Sequence, residues 1–197
     1  MSSNLHKVEF YRFVKILRSE GYVVVIKTKT KNSKVDGLVN FFTPIQIIIF
    51  LNRNPTERYK YALLTLLHEC GHILDEKKYK NCERLKIYHK LINYKKMNYI
   101  KYCSKKEKKL FLYTEFLADN NGKILINNYN IQIDKRSLEE EQVFLYYALY
   151  NELVLNTIVN IDQYNKFVEF VRKTNFTLTK AHIKKLGNLN ELINNSD

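Results

Sequence analysis

The sequence predicts an α+β fold, with a small antiparallel sheet near the start of the chain and a largely helical C-terminal half. Three short β-branched runs lie between residues 22 and 51 of the 197 residues. Most of the remaining chain has apolar residues three and four positions apart, which is typical of helices. With only two Pro and five Gly, no linker divides the sequence, and we expect one domain over 1–197.

The N-terminal part, residues 1–54, is predicted to hold one helix and the sheet. The helix covers about residues 2–20, since Leu5, Val8 and Leu17 recur at helical spacing and Gly21 follows its end. The strands are predicted at 22–28, 35–42 and 45–51, where Val, Ile and Phe are concentrated.

The next helix has a clear start at residues 54–57. Asn54 is a good N-cap residue, Pro55 suits the first helical position, and Glu57 stands where a capping-box glutamate belongs.

Further helices are predicted from 83 to about 118, from Ser137 to about 156, and at 161–173 and 178–186. A short apolar stretch at 123–133 follows Asn121-Gly122.

The sequence "HECGH" lies on the third and fourth turns of this capped helix. His68 and His72 are four residues apart, so both imidazoles face the same side and can bind one metal ion. Glu69 is rotated away from the ligand position but can reach a metal-bound water as a general base. The expected number of such matches by chance is ~0.01. The alternative is a pair of histidines without a metal.

A catalytic zinc ion needs a third protein ligand and one open position. Glu115 and Asp119 are four apart in a helical stretch, so Glu115 can bind the metal while Asp119 hydrogen-bonds a ligand histidine. The alternatives are that both are surface acids, or that His89 is the third ligand.

Cys70 points to the side of its helix opposite His68 and is predicted to be a core residue. Gly71 indicates either close backbone packing or a tolerated defect.

Residues from about 35 to 125 resemble the ImmA/IrrE family of gluzincin metallopeptidases. That family runs from an apolar strand ending near an Asn, through H-E-x-G-H, to a helix with E-x-x-A-N/D. The counterparts here are "IQIIIFLNRN", "HECGH" and "EFLAD". The chain departs from the pattern in a long spacer of 42 residues before Glu115, and in Asn121-Gly122, where the family has an aromatic and a small residue.

The resemblance implies a zincin-like fold in which the sheet packs on the HExxH helix. It implies one zinc ion per chain, held by His68, His72 and Glu115, and a general base, Glu69. The middle part, 55–125, then contains the metal-binding helices, and 126–197 is a helical C-terminal part. The implied activity is hydrolysis of peptide bonds in a specific intracellular protein.

A basic segment, residues 77–109, supports a different hypothesis. It has 13 Lys and Arg against two acids, so it carries +11 of the net charge of +13. Such a segment attracts nucleic acid or an acidic partner, although it can also be only a solvated helix face. In the alternative function the chain binds nucleic acid and the metal is structural or vestigial. The candidate contacts are the lysines at Lys95, Lys96, Lys101, Lys105 and Lys106, with Tyr88, Tyr94, Tyr99 and Tyr102 available for stacking.

Three features bear on the compartment. No apolar run is long enough to span a membrane, and the N-terminus has no apolar signal core. Three cysteines form neither an even disulfide set nor a CxxC metal motif. We therefore expect a cytoplasmic protein with reduced thiols and no membrane partner.

Overall fold

The computed structural model describes residues 3–30, 36–96, 102–157 and 159–181. These residues contain six α-helices and three strands, which confirms the predicted α+β class. In chain order the elements are α1 Ser3–Ser19, β1 Val23–Thr28, β2 Gly37–Asn40, β3 Gln46–Leu51, α2 Arg58–Tyr79, α3 Glu83–Lys96, α4 Lys105–Asn128, α5 Lys135–Tyr150 and α6 Ile161–Thr174.

The sheet is mixed, so the prediction of an antiparallel sheet was wrong in part. The strand order is β1-β3-β2, with β1 parallel to β3 and β2 antiparallel to it. The position of β3 follows from its sequence. Its residues Ile47 and Ile49 are fully buried, and the most apolar strand gains most from neighbours on both sides.

The chain forms two compact units, Met1–Lys78 with Leu117–Lys135, and Tyr79–Phe116 with Arg136–Asp197. The first contains α1, the sheet, nearly all of α2 and the second half of α4. The largest of its fully buried side chains, among the described residues, are Phe10, Phe13, Ile47, Ile49, Leu63, Leu66 and Leu67.

Helix α1 holds the C-terminal end of α4 within this first unit. Arg12 donates hydrogen bonds to the carbonyls of Tyr129 (3.1 Å) and Asn130 (2.9 Å). Glu9 accepts from the Gln132 N–H at 2.9 Å and from Arg12 at 2.7 Å. Burial raises the pKa of the Glu9 carboxyl, but these hydrogen bonds outweigh it and the net pKa is lowered. The ionised carboxylate therefore anchors the turn after α4.

The second unit contains α3, the first half of α4, α5 and α6. Its core is a set of apolar and aromatic side chains: Leu91, Leu112, Leu138, Val143, Tyr147, Phe167 and Val171. The rings of Tyr147 and Phe167 stack with centroids 3.9 Å apart. Gln142 on α5 donates to the Phe116 carbonyl of α4 at 3.3 Å, which fixes the two helices near the middle of α4.

The start of α2 differs in detail from the predicted capping box. The Asn54 side chain accepts a hydrogen bond from the Thr56 N–H at 3.0 Å, and the helix begins at Arg58 after a turn at 55–57. The Asn54 N–H donates to the Asn52 side chain rather than to Glu57. Asn54 therefore caps the turn that leads into the helix.

The helical stretch predicted to end near residue 118 extends further, through Asn121 and Gly122. Helix α4 continues through both residues to Asn128, because each of them contacts α2, as described below. Helix α5 begins at Lys135, two residues before the predicted Ser137. Helix α6 confirms the prediction at 161–173. Most of the predicted helix at 178–186 lies outside the described residues.

None of the helices in the described ranges combines the length and apolar character needed to cross a membrane.

Candidate metal centre

The two histidines of "HECGH" meet on one face of α2. The Nε2 atoms of His68 and His72 lie 3.1 Å apart, and their ring planes are inclined at 86°. Two nitrogen ligands of a tetrahedral zinc ion, each 2.0–2.1 Å from the metal, are about 3.3 Å apart. The observed separation is therefore close to that of two ligands on one ion.

Asp119 holds the other nitrogen of His68. Its Oδ1 lies 2.7 Å from His68 Nδ1, and the aspartate is 5% exposed. A carboxylate can only accept this hydrogen bond, so Nδ1 carries the proton and Nε2 presents its lone pair. A buried carboxylate also makes the imidazole a stronger donor to a metal.

Glu115 completes a group of three potential ligands. One ligand atom each from His68, His72 and Glu115 lies within 4.8 Å of the others. Glu115 stands one helical turn before Asp119 on α4, so a single helix carries both acids. The Tyr88 hydroxyl donates a hydrogen bond to Glu115 Oε1 at 2.8 Å.

Helices α2 and α4 approach backbone to backbone at this site. A Cβ added at Gly71 would lie 1.9 Å from the Ala118 carbonyl oxygen, and one at Gly122 would lie 3.2 Å from the Leu67 carbonyl oxygen. The Asn121 side chain donates to the Gly71 carbonyl at 3.0 Å. The close-packing interpretation of Gly71 is therefore the one that fits, since no larger residue can occupy this position without separating the helices.

Glu69 lies against the edge strand β2. A Cβ added at Gly37 would lie 2.9 Å from Glu69 Oε1 and 2.6 Å from the Thr65 methyl carbon. Glu69 is partly exposed, whereas His72 is buried. The small residue at the start of β2 thus leaves room for the carboxylate at a position that solvent can reach.

Two other candidates are not brought into this group. Among the described residues, the one set of converging ligand atoms contains neither His89 nor a cysteine. His89 lies on α3 with its ring 5.8 Å from that of Tyr88. Cys70 is 4% exposed, and burial, with the nearby Glu69 and Glu20, raises the pKa of its thiol. A neutral buried thiol agrees with the predicted core role.

The residues present fit a zinc ion. The set consists of two imidazoles and one carboxylate, which are ligand types that zinc accepts in catalytic sites, and His68 already has its outer hydrogen-bond partner. Magnesium and calcium prefer sites made of oxygen ligands, so the two nitrogens disfavour both ions.

The basic segment is described only in part. Lys105 and Lys106 are exposed in the first turn of α4, and Lys106 lies 3.6 Å from Glu83. The side chains of Lys95 and Lys96, and all of Lys101, lie outside the described part of the structure. The nucleic-acid contacts therefore stay a prediction.

Two features of the site were missed at the level of sequence. A glycine inside a helix indicates close packing, so Gly122 carried a signal that the predicted helix end near residue 118 did not use. The hydrogen bond from Tyr88 to Glu115 had no sequence signal, because the two residues are 27 positions apart on different helices.

Comparison of the chain with protein-family models, curated proteins and solved structures finds no match. The resemblance to the ImmA/IrrE family therefore rests on the motif residues alone.

Proposed function

We propose that the protein is a zinc-dependent endopeptidase. The observation that supports this proposal best is the convergence of His68, His72 and Glu115, whose ligand atoms lie within 4.8 Å of one another beside a glutamate in the HExxH position. A site that serves structure alone has no use for that glutamate, because a structural zinc ion is closed by four protein ligands.

His68, His72 and Glu115 would hold the zinc ion and, as three ligands, would leave one position for water or substrate. When bound, zinc supplies a Lewis acid that polarises a carbonyl oxygen and lowers the pKa of a coordinated water. The 2.7 Å hydrogen bond from Asp119 to Nδ1 leaves the Nε2 lone pair of His68 available, and this nitrogen would bind the ion.

Glu69 is the proposed general base. It accepts the proton of the attacking water and then transfers that proton to the amine that leaves the peptide bond. The imidazoles of His68 and His72 face each other on α2, while the Glu69 carboxylate lies near Gly37 of β2. The peptide as substrate class comes from the resemblance to the ImmA/IrrE family, and so does selectivity for a specific protein.

The test compares the parent protein with Glu69→Gln and with a matched control, Glu76→Gln, on the same helix. Each zinc-loaded protein is incubated with a proteome-derived peptide library, and new N-termini are identified by mass spectrometry. We expect cleavage by the parent and by Glu76→Gln, and a loss of at least 100-fold in Glu69→Gln at unchanged zinc content. Equal sets of new termini from Glu69→Gln and the parent would contradict the proposal.

A further inference from the structure

Tyr88 is not one of the three potential metal ligands, but it contacts one of them. It lies in the middle of α3, is 6% exposed, and stacks its ring on Phe111 with centroids 5.0 Å apart and planes inclined at 27°. Its hydroxyl donates to Glu115 Oε1 at 2.8 Å. The ring is thus fixed by packing, and the hydroxyl is aimed at a potential metal ligand.

We propose that Tyr88 is a positioning residue that orients Glu115 as a metal ligand through one carboxylate oxygen. This inference rests on the proposed zinc site. Phe111 stands one turn before Glu115 on α4, so the surface that holds the tyrosine ring and the carboxylate that receives its hydrogen bond belong to the same helix. The geometry between hydroxyl and carboxylate is therefore constrained at both ends.

The hydrogen bond has a defined chemical effect on the carboxylate. The O–H of tyrosine occupies a lone pair of Oε1 and withdraws electron density from it. The other carboxylate oxygen, Oε2, is therefore the better ligand for a metal ion. Binding through one oxygen leaves a coordination position for water or substrate, whereas binding through both oxygens fills it. Tyr88 thereby favours an open site.

The same arrangement gives helix α3 a role. Asp119 orients His68 from within α4, and Tyr88 orients Glu115 from α3, so each of these two ligands has a side-chain partner. Helix α3 lies in the long spacer between His72 and Glu115, which the sequence resemblance leaves without a function. This spacer thereby contributes the tyrosine that orients Glu115.

The experiment measures metal affinity without any substrate. Zinc dissociation constants are determined by competition with a chromophoric chelator for the parent, Tyr88→Phe and the control Tyr79→Phe. Tyr88→Phe keeps the ring that stacks on Phe111 and removes only the hydroxyl. Tyr79 is the last residue of α2 and is 45% exposed, so its variant removes the hydroxyl of a tyrosine that is not buried as Tyr88 is. We expect an affinity loss of about 10- to 100-fold for Tyr88→Phe, as for other partners of metal ligands.

A second measurement separates positioning from a general loss of structure. With cobalt in place of zinc, visible absorption reports the coordination number. In Tyr88→Phe, coordination by both Glu115 oxygens should weaken the bands, while Tyr79→Phe keeps the parent spectrum. Thermal unfolding of the metal-free proteins shows whether the variants are folded.

The outcomes distinguish this inference from the proposed function. Tight zinc binding by the parent, with equal affinity and an equal cobalt spectrum in Tyr88→Phe, overturns the role of Tyr88 and leaves the peptidase proposal standing. A parent that takes up no zinc overturns both. A zinc-binding parent that cleaves no peptide, combined with the expected loss in Tyr88→Phe, contradicts the peptidase and supports the positioning role.

Discussion

The imidazole of His68 has two nitrogens, and the contacts of one determine what the other can do. Because Nδ1 is hydrogen-bonded to the buried Asp119 at 2.7 Å, Nε2 is the nitrogen left to present a lone pair. The 3.1 Å approach of His72 then places a second potential donor beside it. At this scale the site depends on hydrogen bonds between residues far apart in sequence.

Glu107 is a second residue whose contacts have a measurable consequence. It accepts hydrogen bonds from Lys90 (2.7 Å) and from both the backbone N–H and the hydroxyl of Ser104 (2.8 Å each), which forms a capping box at the start of α4. The bond from Lys90, followed by those from Ser104, lowers the pKa of Glu107 to about 2 from the ordinary value of 4.5.

This lowered pKa predicts a stability contribution that depends on pH. Since the folded pKa lies below the unfolded one, the contribution is present above about pH 4.5 and is lost as the pH falls toward 2. We expect Glu107→Gln to lower the free energy of unfolding by about 1 kcal/mol at pH 7, and the difference to shrink on acidification. Urea unfolding across this pH range tests the prediction, with the exposed Glu169→Gln as control. A difference that is constant with pH would show that the carboxylate charge is not its source.

At the scale of elements, the contact of α2 with α4 sets the position of the site. Gly71 faces the backbone of Ala118, and Gly122 faces the backbone of Leu67. His68 stands one residue after Leu67, and Asp119 one residue after Ala118. The same contacts that bring the backbones together therefore bring the two side chains within hydrogen-bond distance.

Substitution of the two glycines should have graded effects. Gly71→Ala places a Cβ 1.9 Å from a carbonyl oxygen, so the helices must separate, whereas Gly122→Ala needs a shift of only a few tenths of an ångström from 3.2 Å. We expect Gly71→Ala to destabilise the protein by about 1–3 kcal/mol, despite the better helix propensity of Ala, and to weaken zinc binding more than tenfold. Gly122→Ala should have a smaller effect on both.

Chemical denaturation and chelator competition on the two variants provide the measurements. If Gly71→Ala is as stable as the parent and binds zinc equally well, then the close approach of the helices does not hold the site together.

An element could be predicted where it is determined by residues close together in sequence, and not where it depends on contacts between distant residues. The strands at 22–28 and 45–51 and the helix with His68 follow from local composition and period, and the structure contains them. The pairing of β1 with β3 does not follow, because alternation along a strand does not identify its partner. The extension of α4 beyond residue 118 does not follow either, because the contact of Gly122 with Leu67 joins residues far apart in sequence.

At the scale of the whole molecule, a bound metal adds its binding free energy to folding. A ligand that binds only the folded state stabilises it by RT ln(1 + [L]/Kd), about 2.7 kcal/mol when the free metal is 100 times Kd. For a chain of this length that corresponds to an increase in Tm of about 5–10 °C.

Removal of the metal tests whether metal binding stabilises the folded chain. We expect zinc to raise the Tm of chelator-treated protein, and Glu115→Ala to show a much smaller shift, since it removes one of the three ligands. Differential scanning calorimetry with and without zinc is the measurement, and magnesium is the control ion. An equal shift in the parent and in Glu115→Ala would place the binding elsewhere.

The central position of β3 also constrains the order in which the first unit can fold. Both edge strands, β1 and β2, pair with β3, which follows them in the chain. During synthesis neither β1 nor β2 has its sheet partner until residue 51 has left the ribosome, since Gln46–Leu51 is the last strand of the sheet to be made. The sheet therefore assembles around its final strand.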